Sequence, residues 1–420
     1  MFHLLYADNK GRIYDHPDLL AVGRTGNLLT GIDEAEAIPL PEGASLVLIP
    51  GGIPVGMNNR GQFSMMDADR SGQPVFAVGV LLPQGFTRTL LPGYRRQDKK
   101  PLPLFGYGAV GWKNGEIYAA ALQTDEHYKW NPVNYSTPEL AQLVRETVND
   151  LGDNRIIRQL SRCALEYSCF TAQNIFYRRW EGGIPASPAC NAQCLGCISL
   201  QPSECCPSPQ TRIDFVPTSQ EIAEIAVTHL AEAAEGIISF GQGCEGEPSL
   251  AADNISLAIA KVRRKTGKGT INMNTNAGYT DGIKRICLAG IDSLRVSTVS
   301  AREATYTRYY SPRGYNWDDV CSSVAFGRRH GVYISLNLLT LPGLTDLPDE
   351  AEALINFIRD FDINMVQFRN LNIDPDYLNE IIPLAREEVL GIDRFIEILK
   401  EEIPGIAIGN YSKPVNRPQD

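Results

Sequence analysis

From about residue 218 onward, the apolar positions alternate between a helical and a strand-like period. Thr218 and Glu221 form a capping-box pair ahead of Ile222, Ile225, Ala226 and Leu230, which fall on one helical face. Ile237, Ile238, Ser239 and Phe240 then read as the end of a strand. A second helical pattern over about 250–264 stops at Gly267 and Gly269 and gives way to a strand over 270–274. The rhythm continues with a helix ending at Gly290 and a strand over 293–297. A helix capped by Asn316, with Asp319 in its first turn, is stopped by Gly331 and leads to a strand over 332–338. A helix over 348–361, a strand over 364–368 and a last helix near 391–402 complete the series. Strands alternating with helices predict a parallel sheet, and such sheets bind ligands at the carboxyl ends of their strands.

The first 135 residues have another texture. Short apolar runs (SLVLIP, VFAVGVLL, LPLFGYGAVGW, GEIYAAAL) are separated by Gly/Pro turns, with no long amphipathic helix, which predicts a mainly β region. Helical stretches beginning at Ser136 and spanning about 156–169 follow. The expected organisation is therefore a β domain over 1–135, a helical linker over 136–180, an α/β core over 181–405 and a tail over 406–420.

Composition adds limits. The chain has 420 residues, 43% of them hydrophobic, which suffices for two ordinary cores. No apolar stretch approaches ~20 residues, and MFHLLYADNKGRIYD turns acidic too early for a signal peptide, so a cytoplasmic protein without a membrane span is expected. The formal charge of −10 disfavours nucleic acid as the main partner. Arg88, Arg95, Arg96, Lys99 and Lys100 form one basic run, read as a solvated loop in preference to a site for phosphate or an acidic partner.

Candidate chemistry starts with the ten cysteines. In a reducing compartment they are not a disulfide framework. Cys190, Cys194 and Cys197 stand in CNAQCLGC, a spacing that supplies three thiolates to an iron–sulfur cubane and no fourth, leaving one iron open to an outside ligand. The alternative is structural zinc, which needs four ligands; Cys205 and Cys206 could complete the set, although adjacent cysteines chelate poorly. Cys163, Cys169, Cys244, Cys287 and Cys321 are read as scattered, inert thiols. Downstream, GQGCEGEPSL follows the apolar strand and reads as a strand-to-helix turn whose backbone can approach a ligand.

The cysteine loop followed by this Gly-Glu-Pro turn resembles the radical S-adenosylmethionine (SAM) enzymes. The resemblance spans roughly residues 180–400 and implies a partial (β/α)6 barrel of the TIM type behind the smaller β domain. It implies a single [4Fe–4S] cluster on Cys190, Cys194 and Cys197, and SAM as cofactor with its methionine end held by Gly246, Glu247 and Pro248. By strand order it also implies Thr275 and Asn276 near the SAM carboxylate, Ser297 near the ribose and Asn337 near the sugar or carboxylate. SLNLLTLPGLTD is similar to the branch related to molybdenum-cofactor biosynthesis. Two positions depart from the family pattern: Gly196 where an aromatic residue often stands, and Glu245 where a glycine is usual. The implied activity is reductive cleavage of SAM to a 5′-deoxyadenosyl radical that abstracts hydrogen from a substrate, with an electron donor such as flavodoxin or ferredoxin. A non-catalytic cluster or SAM-binding sensor and a zinc-stabilised module are the competing classes. Arg369, Asn370, Asn372 and Asp374 follow the sixth strand, either as a plain turn or with Arg369 reaching a carboxylate or phosphate of the substrate.

Overall fold

The computed structural model describes residues 1–96, 100–102, 105–200, 210–387 and 389–415. Seven parallel strands form one curled sheet: β1 (Arg179–Gly183), β2 (Ala234–Phe240), β3 (Thr270–Thr275), β4 (Ser293–Thr298), β5 (Tyr333–Thr340), β6 (Met365–Asn370) and β7 (Ala407–Gly409), in that spatial order. The chain order equals the sheet order, as a series of crossovers running one way around a partial barrel requires. The crossovers are α1 (Ser219–Glu232), α2 (Ala252–Arg263), α3 (Thr280–Leu288), α4 (Glu303–Tyr310), α5 (Trp317–Arg329), α6 (Pro348–Asp360), α7 (Pro375–Ile381) and α8 (Ile392–Glu402). Both expected capping boxes are present, Thr218 with Glu221 at α1 and Asn316 with Asp319 at α5.

Three differences from the sequence reading stand out. The short strand β7 lies in the stretch assigned to the tail, so the sheet has seven strands where six were expected. Helices α4 and α7 were not anticipated; their seven or eight residues give too little periodicity to stand out from loop.

Each barrel strand alternates residue by residue. Ile238 and Phe240, Ile271 and Met273, Leu294 and Val296, Leu336 and Leu338, and Val366 and Phe368 all belong to the core shared with the helices. The residues between them are Ser239, Asn272, Arg295, Asn337 and Gln367, and several of these line the lumen. Interiors of TIM-type barrels are usually filled by branched apolar side chains. Here the lumen is polar, and buried polar groups have to be hydrogen-bonded to one another or to a ligand.

The first part of the chain is β as predicted: strands between His3 and Gln123 pair antiparallel into one branched sheet. Helices Leu140–Leu151, Arg155–Leu165 and Phe170–Tyr177 connect it to β1. The β sheet docks on the carboxyl-terminal rim of the barrel beside β6. The Arg96 guanidinium pairs with Asp374 at 2.7 Å, both side chains nearly inaccessible, and Arg24 pairs with Asp376 at 2.7 Å. Arg88 is fully buried and donates to the carbonyls of Leu371 (2.7 Å) and Tyr107 (3.2 Å). The basic run is thus neither a solvated loop nor a phosphate site at Arg88 and Arg96, which are spent on this interface; Lys99 lies outside the described residues. No helix among the described residues is long and apolar enough to cross a membrane.

Candidate active site

The cluster loop and the Gly-Glu-Pro turn meet at the carboxyl ends of β1 and β2. The Gly246 N–H donates to the Ser187 carbonyl (2.7 Å) and the Glu247 N–H to the Ala189 carbonyl (2.8 Å), so the turn pairs with the chain entering Cys190. A Cβ on Gly246 would fall 2.0 Å from the Ala189 carbonyl oxygen, which accounts for the glycine. Helix α4 braces the loop from the other side: Gln193 N–H donates to the Tyr310 carbonyl (2.9 Å) and Leu195 N–H to that of Tyr309 (3.0 Å).

Glu245 is where the turn departs from the family pattern, and the structure gives it a task. Its buried carboxylate accepts the N–H groups of Ala186 (2.8 Å), Ser187 (3.0 Å), Gly241 and Gln242 (3.2 Å), tying the entrance of the cluster loop to the end of β2. Burial pushes its carboxyl up to about 7, against the pull of those four donors. Glu247 is equally enclosed. It accepts from Ser249 N–H (3.0 Å), Asn276 N–H (2.8 Å) and the Thr275 hydroxyl, while the Asn276 amide donates to the Asn191 side chain (2.7 Å) inside the cluster loop. Burial raises the Glu247 carboxyl as well. Glu247, Thr275 and Asn276, three predicted SAM contacts, are therefore brought together, with their side chains largely engaged with one another and with the loop.

The three loop cysteines are partly buried. Burial first, then the nearby Cys197 and Cys190 sulfurs, push the Cys194 thiol above its usual range. Among the described residues no three His, Cys, Asp or Glu side chains are placed to hold a single metal ion. Cys205 and Cys206, which the zinc alternative needs, lie outside the described residues. In a cubane each thiolate binds a different iron, so the loop need not converge on one point. Cys163 and Cys244 are buried as expected but not scattered: far apart in sequence, they lie close enough for each to shift the other's thiol.

A cavity of about 320 Å³ opens beside the loop. Cys194, Cys197, Ser297, Asn337 and Arg369 all line it, so three predicted polar contacts share one space with two thiols. Its wall carries buried polar atoms without a protein partner: Gln242 Nε2, Tyr310 Oη, Asn337 Oδ1 and Arg295 Nε. Such atoms are costly unless a ligand or water satisfies them. A larger cavity, about 420 Å³, lies at the amino-terminal ends of β1 and β2, where Trp180 and Glu235 line it and no predicted site residue does. Aromatic side chains stand next to Gly196, where the family often has one. A Cβ on Gly196 would sit 2.8 Å from the Tyr309 hydroxyl, and Tyr309 and Tyr310 both line the 320 Å³ cavity.

The loop after β6 is largely a docking element. Asn370 accepts from Arg88 N–H (3.0 Å) and donates to the Phe86 carbonyl (3.1 Å). Asp374 caps α7 and holds Arg96. Arg369 lines the cavity, as do Asn370 and Asn372, and its guanidinium donates to Gln84 Oε1 (3.0 Å) and the Asn410 carbonyl (2.7 Å). Sequence reasoning missed Arg295; its only signal is a charge between Leu294 and Val296 in a strand.

Residues 184–358 match the family model described as the radical SAM superfamily, and the cluster cysteines and the Gly-Glu-Pro turn fall inside that span. This segment, less than half of the chain, is therefore similar to the radical SAM superfamily, whose members use a [4Fe–4S] cluster and SAM. Among solved structures it is similar to HydG, a maturase of the [FeFe]-hydrogenase, with 15% identity over 65% of each chain and a TM-score of 0.38. It is also similar to a radical SAM methyltransferase from Sphaerobacter thermophilus, with 14% identity over 56% of this chain and 65% of that one and a TM-score of 0.39. A third is SuiB of Streptococcus suis bound to SAM, with 14% identity over 76% of this chain and 72% of that one and a TM-score of 0.38. The chain spans less than two-thirds of the first two. No curated protein matches its sequence.

Proposed function

We propose that the chain is a radical SAM enzyme in which Cys190, Cys194 and Cys197 hold the cluster and SAM binds across the 320 Å³ cavity, its methionine end at Gly246, Glu247 and Pro248. The observation that carries this reading is the pairing of the cluster loop with the Gly-Glu-Pro turn beside a cavity that two of the thiols line. A cluster held by these three cysteines would supply the electron for reductive cleavage of SAM and so radical hydrogen abstraction from a substrate. The residues of this chain bind, orient and enclose. Glu245 and Glu247 fix the loop and the turn relative to each other. Thr275 and Asn276 act through Glu247 and Asn191, as positioning residues near the SAM carboxylate. Asn337 Oδ1, buried and unpartnered, is an acceptor for a ribose hydroxyl, while its Nδ2 donates to Ser297 Oγ at 3.4 Å. Tyr309 and Tyr310 offer the aromatic surface that Gly196 cannot. The substrate occupies the polar lumen, and an external donor such as flavodoxin or ferredoxin supplies the electron.

The test is anaerobic reconstitution with iron and sulfide, followed by dithionite and SAM. Equal amounts of 5′-deoxyadenosine and methionine are expected. SAM binding without cleavage would favour a sensor, and a colourless protein holding zinc would favour a binding module.

A further inference from the structure

Two guanidinium groups lie within electrostatic reach of each other in the lumen, and among the described residues neither forms an ion pair within 4.0 Å. Arg295 and Arg369 both line the cavity. Arg295 makes only long contacts, 3.4 Å to Gln367 Oε1 and 3.4 Å to Ser412 Oγ, and its Nε is buried without a partner. Arg369 is held by neutral oxygens of Gln84 and Asn410. The two are close enough that Arg295 adds to burial in lowering the affinity of Arg369 for its proton, to about 10. The acidic groups that face them are few. Glu181 lies within electrostatic reach of both and sets one negative charge against their two positive ones, while its carboxylate also accepts the Ser239 hydroxyl at 2.6 Å; Glu245 is spent on four backbone N–H groups. The arginines at the docking interface also leave Nε unpartnered, but there Arg96 and Arg24 each have a carboxylate at 2.7 Å.

Two like charges in a low-dielectric space repel and lack the solvation they have in water. An oxyanion set between them removes both costs, and the planar guanidinium forks suit two-oxygen recognition. The position separates this site from the SAM carboxylate. Arg295 precedes Ser297 by two residues on β4, one inward-facing position or about 6.6 Å deeper in the lumen, and Arg369 stands on β6, across the curled sheet from the turn that follows β2.

Resting on the radical SAM reading, we infer that Arg295 and Arg369 form a binding site for an oxyanion of the substrate, a carboxylate or a phosphate ester, which anchors it in the lumen beneath SAM. The test uses the full chain, cluster-reconstituted and loaded with SAM, titrated calorimetrically with inorganic phosphate and separately with acetate. Binding of one probe per chain is expected, and the tighter probe assigns the substrate as phosphate ester or carboxylate. Affinity should fall at least tenfold in Arg295→Gln and in Arg369→Gln. Arg369→Lys, which keeps the charge and loses the fork, should fall between them and the unaltered chain and serves if the glutamine variants do not fold. Arg394→Gln, on the exposed face of α8, is the charge control and should not change it. Equal probe affinity with and without the arginines, or no probe binding, would overturn the site. So would mutual exclusion of probe and SAM, which would assign the pair to the SAM carboxylate. Absence of cluster or SAM binding in the unaltered chain would instead overturn the radical SAM reading, and the site with it.

Discussion

On the wall built by β2 and β3, Glu245 accepts four backbone N–H groups and Glu247 three donors, with Asn276 reaching into the cluster loop. On the wall built by β4, β5 and β6, Arg295 and Asn337 keep buried atoms with no partner at all. Both walls are polar, yet the carboxylates of the first are satisfied by the protein, with Gln242 Nε2 and Ser249 Oγ left over, whereas the second leaves atoms of its charged and amide groups unpartnered inside the cavity. The conserved chemistry of a cofactor can be met by a closed, rigid scaffold, whereas groups left unsatisfied mark where an outside molecule has to complete the structure. The resemblance to a family spoke for the first wall. It was silent about the second.

The comparison breaks most severely at the cysteines. Cys190→Ala, Cys194→Ala and Cys197→Ala should each abolish the brown cluster, read as iron and sulfide content, because a methyl cannot replace a thiolate ligand. Full cluster content in any of them would remove the loop from the site.

Next in size is the docking pair. Arg96→Ala leaves the buried Asp374 carboxylate uncompensated and should cost about 3–5 kcal/mol in chemical denaturation, while cluster content of the folded protein is retained. A loss below about 1 kcal/mol, the ordinary value of an exposed pair, would mean that the β sheet is not anchored there.

Glu245→Ala strands four N–H groups and should lower stability by about 3 kcal/mol, with unsatisfied buried donors costing about 1–3 kcal/mol each before relaxation. Cluster assembly should slow with it. If Glu245→Gly behaved as well as the unaltered chain, the carboxylate would be dispensable and the usual glycine of the family would suffice.

Glu247→Gln is a smaller change that sharpens the scaffold side. One oxygen remains for the Thr275 hydroxyl, but the new amide opposes an N–H donor, and SAM affinity should drop by about tenfold, or about 1.4 kcal/mol, with cluster content kept. Unchanged SAM affinity would make the Gly-Glu-Pro match a turn and nothing more. Cys287→Ala, at a buried thiol distant from the loop, is expected to leave the cluster intact.

Much of the barrel was legible because its signals are local. Capping boxes at Thr218 and Asn316, glycine stops at Gly290 and Gly331, and the change of period between helix and strand are all written within a few residues. The cysteine loop and the turn were legible for the same reason. Helix α4 was not: Glu303–Tyr310 is short and rich in Thr and Tyr, residues of modest helix propensity, although Tyr306, Tyr309 and Tyr310 do share one face. The docking interface could not be read at all, since Arg96 and Asp374 are 278 positions apart and each looks like an ordinary loop residue. Whether Asn370 and Asp374 belonged to a plain turn or flanked a substrate-binding Arg369 accordingly stayed open until their partners on the β sheet were seen. Arg295 was hidden for a different reason: in a strand, only the fold tells which of two alternating faces meets the lumen. Glu245 looked like a deviation because a pattern of residue types carries no hydrogen bonds.

The open iron is the centre of the account, and the electron paramagnetic resonance spectrum of the reduced, reconstituted protein tests it most directly. Three protein thiolates leave one iron for SAM, so adding SAM should shift the cluster signal, and the shift should be absent when the loop cysteines are replaced because no cluster forms. A strong cluster signal that is identical with and without SAM would show a fully ligated cluster and contradict the assignment.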